Sequence, residues 1–158
     1  MKADKEIFMG LMNLHDAFLN VTLIKHHMDR SPLVNDIKIF DVTDRARFER
    51  MWVAFLSVLV EAWNSSQMRR VREYVASKVS IDELSTLLQQ GRKDGSLDKM
   101  RETRHYMFHR DERKYWDDGR LAVCGQLEFH LKIHQTFSRV FLVTFSEKGK
   151  EEKAKRSK

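Results

Sequence analysis

From Lys2 to Asp29, apolar residues recur at Ile7, Leu11, Leu14, Phe18, Val21, Ile24 and Met28. Steps of three and four line one face of an α-helix, and no feature of the chain constrains its fold more. The spacing predicts a long amphipathic helix, closed by Ser31-Pro32 because proline disfavours helical geometry in the residue before it and has no amide proton to donate. Residues 31 to 43 then form a connection, with a short extended pattern from Ile37 to Phe40.

The same periodicity continues along the chain. A second helix opens near Asp41 or Thr43, either of which can cap free amides, and turns Phe48, Met51, Trp52, Phe55, Leu59, Ala62 and Trp63 inward. Its middle is apolar nearly all round, which suits the centre of a bundle. Ser57 and Glu61 within it therefore either lie on an exposed edge or require partners, since an unpaired carboxylate is costly to bury. Residues 65 to 79 remain helical, with Arg69, Arg70 and Arg72 on a solvated face. Ser80-Ile-Asp-Glu83 matches a capping box ahead of a short helix through Leu84, Leu87 and Leu88. Gly91 to Gly95 is expected as a turn, Ser96 as the next cap, and a last long helix from Gly119 or Arg120 to about Ser146. The fold class expected is all-α: four main helices and short extra ones in one domain, residues 1–147.

Charge is unevenly spread. The formal net charge is +6, and residues 148–158 hold six Lys or Arg against Glu151 and Glu152, leaving +2 for residues 1–147. The basic character belongs mostly to this tail, expected to be disordered, which attracts phosphate without specifying a site. The single cysteine, Cys124, has no partner for an intrachain disulfide, and with no signal-peptide pattern the expected setting is reducing and cytoplasmic. The longest apolar stretch, Met51 to Val60 with Ser57 inside it, is half of the roughly 20 residues a spanning helix needs. No membrane segment is expected.

The stretch from Arg101 to Lys114 concentrates side chains that ionise, hydrogen-bond or hold phosphate. Arg104 and His109 bracket His105, Tyr106, Met107 and Phe108. Five positions on an α-helix amount to about 140° after a full turn. Either the helix ends between Arg104 and His109, or their partners come from a second copy of the chain. Elsewhere, His130 and His134 share a helix face, but no third ligand completes a zinc set, so packing is the expected role. His26-His27 suits a helix C-terminus. No glycine-rich phosphate loop, nucleophile elbow or cysteine pair appears, and no metal or cofactor is expected.

At Arg104-His105-Tyr106-Met107-Phe108-His109 the chain resembles the HEPN family (higher eukaryotes and prokaryotes nucleotide-binding domains), whose signature is arginine, a polar residue, a few positions and a histidine. The family more often has asparagine where this chain has His105. The resemblance implies a HEPN-like helical bundle and, in active members, a metal-independent endoribonuclease built as a homodimer with the two motifs facing each other. Arg104, His109 and His105 would form the catalytic set, with Arg101 and Arg110 contacting RNA. Ser57 and Glu61 would match the polar or acidic residue that members often carry in an earlier core helix, and the Glu61 carboxylate would orient Arg104 or a histidine. Toxin and host-defence roles, with a neutralising antitoxin protein as partner, are further implications. A non-catalytic helical module binding RNA or a protein is the rival expectation, and a plain helical bundle a third.

Overall fold

In α1 (Lys2–Arg30), the inward residues Leu11, Leu14, Val21 and Met28 are buried, while Ile7 and Ile24 are partly covered at the edges. The computed structural model describes residues 2–30, 44–109 and 126–156. Next come α2 (Asp44–Asn64), a 3₁₀ turn at Ser66–Met68, α3 (Arg69–Ala76), α4 (Asp82–Lys93), α5 (Ser96–His109) and α6 (Leu127–Arg156). Every regular element among the described residues is helical. By length and composition Asp4–Arg30 would also suffice to cross a membrane, but here its inner face closes a core.

α2 is the centre. It packs against α1, α5 and α6, while α3 lies on α1 and α4 bridges α5 and α6. Trp52, Val53, Leu56, Leu59, Val60 and Trp63 are all buried, and Trp63 meets the rings of Phe137 and Phe141 from α6 edge-on, at centroid distances of 5.7 and 6.5 Å. Ser57 is buried in this helix rather than on an exposed edge, because α2 is covered on nearly every side. Three buried threonines, Thr103, Thr136 and Thr144, each donate their hydroxyl to the carbonyl four residues back, at 2.8–2.9 Å. Their polar atoms are thereby satisfied inside the helix itself.

Several local expectations are corrected. The Ser80–Glu83 capping box does not form: Ser80 Oγ accepts the Asp82 amide at 3.3 Å, while Glu83 pairs with Arg139 of α6 at 2.8 Å. Tertiary pairing has taken the side chain that would have closed the box. Gly91 is not in a turn but inside α4, where an added Cβ would lie 2.4 Å from Cζ of Phe129; the glycine admits α6. The turn is Asp94-Gly95, with Gly95 at φ 78°, a conformation that glycine adopts without strain. The Asp94 carboxylate, not Ser96, receives an amide, that of Ser96 itself, at 2.9 Å. Hydrogen bonds from the Ser96 hydroxyl and amide hold the Asp94 carboxyl below its usual pKa. Arg72 also leaves the solvated face: its guanidinium donates to the carbonyls of Trp63 and Ser65, satisfying the C-terminal end of α2. Arg69 and Arg70 do face solvent.

The last helix begins at Leu127, after a non-helical Gln126, and runs through Arg156, beyond the predicted end at Ser146 and through most of the tail expected to be disordered. Glutamate and lysine dominate that extension, with Glu151 and Glu152 four residues before Lys155 and Arg156, a spacing that favours helix. The predicted connection at 31–43 with its caps Asp41 and Thr43, the segment holding Arg110, Tyr115 and Trp116, and Cys124 lie outside the described residues.

α1 approaches α3 most closely at Gly10, where an added Cβ would sit 2.5 Å from Cγ2 of buried Val71. Gly10→Val is expected to destabilise the fold by about 1–3 kcal/mol through overpacking, read as a lower urea midpoint with an unchanged slope.

Candidate functional site

Ser57, Glu61 and Asn64 fall at steps of four and three on α2, and Arg101 and Arg104 are three apart on α5, so each group shares a helix face. Where α2 packs on α5, those faces meet. Arg104 donates from Nη1 to Oε2 of Glu61, and Nε of Arg101 lies 3.4 Å from Oε1 of the same carboxylate. Arg101 also reaches Oδ1 of Asp98 at 3.2 Å. One carboxylate thus faces two guanidinium groups, accepting a hydrogen bond from Arg104 at Oε2 and pairing with Arg101 by charge alone, since Oε1 accepts no hydrogen bond. The Arg104 and Glu61 side chains are 32% and 35% exposed, sheltered enough to be fixed yet open to an incoming anion.

Glu61 also lines a cleft of about 400 Å³ together with Ser57, Asn64, Ser65, Arg92, Asp98 and Arg101, floored by Val60, Leu97 and Met100. Polar groups of both signs surround an apolar base, an arrangement suited to a small polar molecule or one unit of a polymer. Arg92 and Asn64 carry no signal of this in the sequence. Arg92 arrives from α4, and only tertiary packing brings it here.

The remaining predicted residues divide. His105 is exposed, its ring 6.2 Å from that of Tyr106. Phe108, half exposed, meets Phe55 edge-on at 5.5 Å. His109 is the last residue of α5, so the helix does not end between Arg104 and His109, and their backbone positions lie about 140° apart around its axis. Arg110 is outside the described residues.

His130 and His134 occupy a different place, between α6, α1 and α2. His130 is buried with neither ring nitrogen hydrogen-bonded, packed edge-on against Trp52 and Phe129. His134 Nε2 is 3.3 Å from Oγ1 of Thr22, and its ring packs against Phe18 and Trp52. Burial pushes the pKa of each down to about 4, helped at His134 by the nearby Lys25 charge. Among the described residues no cluster of three or more potential metal ligands occurs.

Two outcomes follow from these geometries. A double-mutant cycle between Glu61→Ala and Arg104→Ala is expected to give a coupling of about 1 kcal/mol, since the pair is partly exposed, and to shrink in high salt. Both histidines are neutral in the fold and protonate more readily when unfolded, so they favour the folded state fully above the ordinary histidine pKa. That contribution is lost as pH falls from about 6.5 towards 4. Urea titrations across this window should show a steep fall in stability that flattens in His130→Phe.

Compared with known proteins, the chain matches no family model, no curated protein and no solved structure.

Proposed function

We propose that this chain is a metal-independent endoribonuclease of HEPN type, acting as a homodimer. The observation that carries the proposal is the placement of Arg104. A guanidinium is anchored by Glu61, whose carboxylate itself lines a polar cleft, on the same helix that ends at His109. A guanidinium held in this way keeps its planar donors oriented for a phosphate.

In the proposed reaction RNA supplies its own nucleophile. The imidazole of His109 removes the proton from a ribose 2′-hydroxyl, and that oxygen attacks the adjacent phosphorus. The bond from phosphorus to the 5′-oxygen breaks, and a second acid protonates the departing oxygen. The products are a 2′,3′-cyclic phosphate and a 5′-hydroxyl. Histidine titrates near neutrality and serves as acid or base, while Arg104 stabilises the charge that builds on the phosphoryl oxygens. One imidazole does not fill both proton-transfer roles in a single in-line displacement. For that reason we assign the second acid to His109 of a facing copy, a reading in keeping with a helix α5 that runs unbroken across the motif. Glu61 acts here as a positioning residue, and Arg101 as an RNA contact.

A second reading draws on the same carboxylate. Glu61 already takes up both Arg101 and Arg104, as expected for a tie between α2 and α5 in a non-catalytic module that binds RNA or a protein.

Incubation with a mixed RNA pool in chelator decides between them. Cleavage with cyclic phosphate ends is expected, reduced about 10²- to 10⁴-fold in His109→Ala and about 10²- to 10³-fold in Arg104→Ala. Binding without cleavage by the parent protein would favour the second reading, and undiminished cleavage by His109→Ala would remove the catalytic assignment.

A further inference from the structure

The outward face of α1 is unusually apolar. Phe8, Met12, Leu19 and Leu23 are 48%, 36%, 49% and 57% exposed. At about 100° per residue these four fall within a sector of about 60°, with Met9, 50% exposed, about 40° beyond its edge and outside the symmetric set, and they form a straight stripe about 22 Å long. Its order along the helix is symmetric: Phe8 and Leu23 are equidistant from the point between His15 and Asp16, and so are Met12 and Leu19. When two such helices run antiparallel about a two-fold axis through that point, Phe8 of one lies level with Leu23 of the other, and Met12 with Leu19. Self-complementarity of this kind is what an isologous contact between identical chains requires.

Charge points the same way. The four cations of α1, Lys2, Lys5, Lys25 and Arg30, are matched by Asp4, Glu6, Asp16 and Asp29, and Lys25 is already bound to Asp29 at 2.5 Å. α1 therefore has no excess of basic residues to draw it to an anionic bilayer or to RNA. Asp16, 70% exposed, stands at the edge of the stripe with His15 Nδ1 3.8 Å away. In area, the four apolar residues of two copies would cover roughly 800 Å², taking each side chain as about half of a large residue's 150–250 Å². Flanking Lys5, Asp16 and His26 bring the total to about 1,200 Å², where specific dimers begin.

We infer that the outer face of α1 is where a second copy of this chain docks, antiparallel, about a two-fold axis between His15 and Asp16. This contact rests on no part of the ribonuclease proposal. α1 and α5 both pack on α2 and make little contact with each other, so the outward stripe of α1 and Arg104 of α5 belong to different helices of the bundle. The pair formed by α1 is thus distinct from the facing pair proposed for Arg104 and His109.

Disulfide trapping in the full chain with Cys124→Ser tests the geometry. Met12→Cys and Leu19→Cys chains, mixed and oxidised, are expected to form a covalent dimer that neither forms alone. Cross-linking within either variant alone, or none in the mixture, overturns the inference. Sedimentation of Leu19→Glu/Leu23→Glu should show the particle mass falling at least two-fold with the far-UV helix signal kept; an unchanged mass contradicts it. Flotation with phosphatidylglycerol vesicles that is lost in the same variant would assign the stripe to a lipid surface instead and overturn the pairing.

Discussion

The structure depends on a helix that has no face suited to water. Between Trp52 and Trp63, eight of twelve residues of α2 are buried and none is fully exposed, so neighbours must surround it. α1, α5 and α6 do so, and the short α3 and α4 seal what those three leave open. Burial of this helix supplies the main driving force, since each large apolar side chain removed from water contributes roughly 1.5–3 kcal/mol. It also sets the position of every polar group along α2. A polar side chain there is either inside the bundle or at the seam with a partner helix.

Glu61 is at such a seam. Its carboxylate offsets part of its desolvation through Arg101 and Arg104, and together with Arg101 it lines a cleft. Packing and chemistry are joined at this residue. The pair that ties α5 to α2 is also the one to which the proposed reaction assigns the orientation of donors for a phosphate. The histidines buried with Trp52 belong to a separate economy, one of packing and pH-dependent stability, and no part of the proposed chemistry passes through them.

Much of the architecture was legible from spacing alone. The inward face of α1 and the enclosed middle of α2 follow from apolar periodicity, because a helix repeats its faces whatever surrounds it. Features decided by distant partners were not legible. Glu83 had the right spacing for a capping box, but Arg139 claims it. Gly91 resembled a turn residue, yet its role is to admit Phe129. Arg72 resembled surface charge and instead closes the end of α2. At the candidate site, the contact between Glu61 and Arg104 was one of two alternatives open from sequence, since spacing places a residue on a face without saying which neighbour that face meets. Arg92 and Asn64 could be assigned to the cleft only once α4 and α5 were in place.

The central proposal is that the functional unit spans two copies, since one imidazole does not fill both proton-transfer roles and α5 carries Arg104 and His109 on one unbroken helix. Subunit mixing tests this most directly. Parent chain is co-refolded with increasing amounts of an Arg104→Ala/His109→Ala chain, and RNA cleavage is measured against the parent fraction. A composite site predicts activity falling as the square of that fraction, since only pairs of parent chains are complete. A linear fall would show that each chain holds a whole site by itself, and would contradict the account.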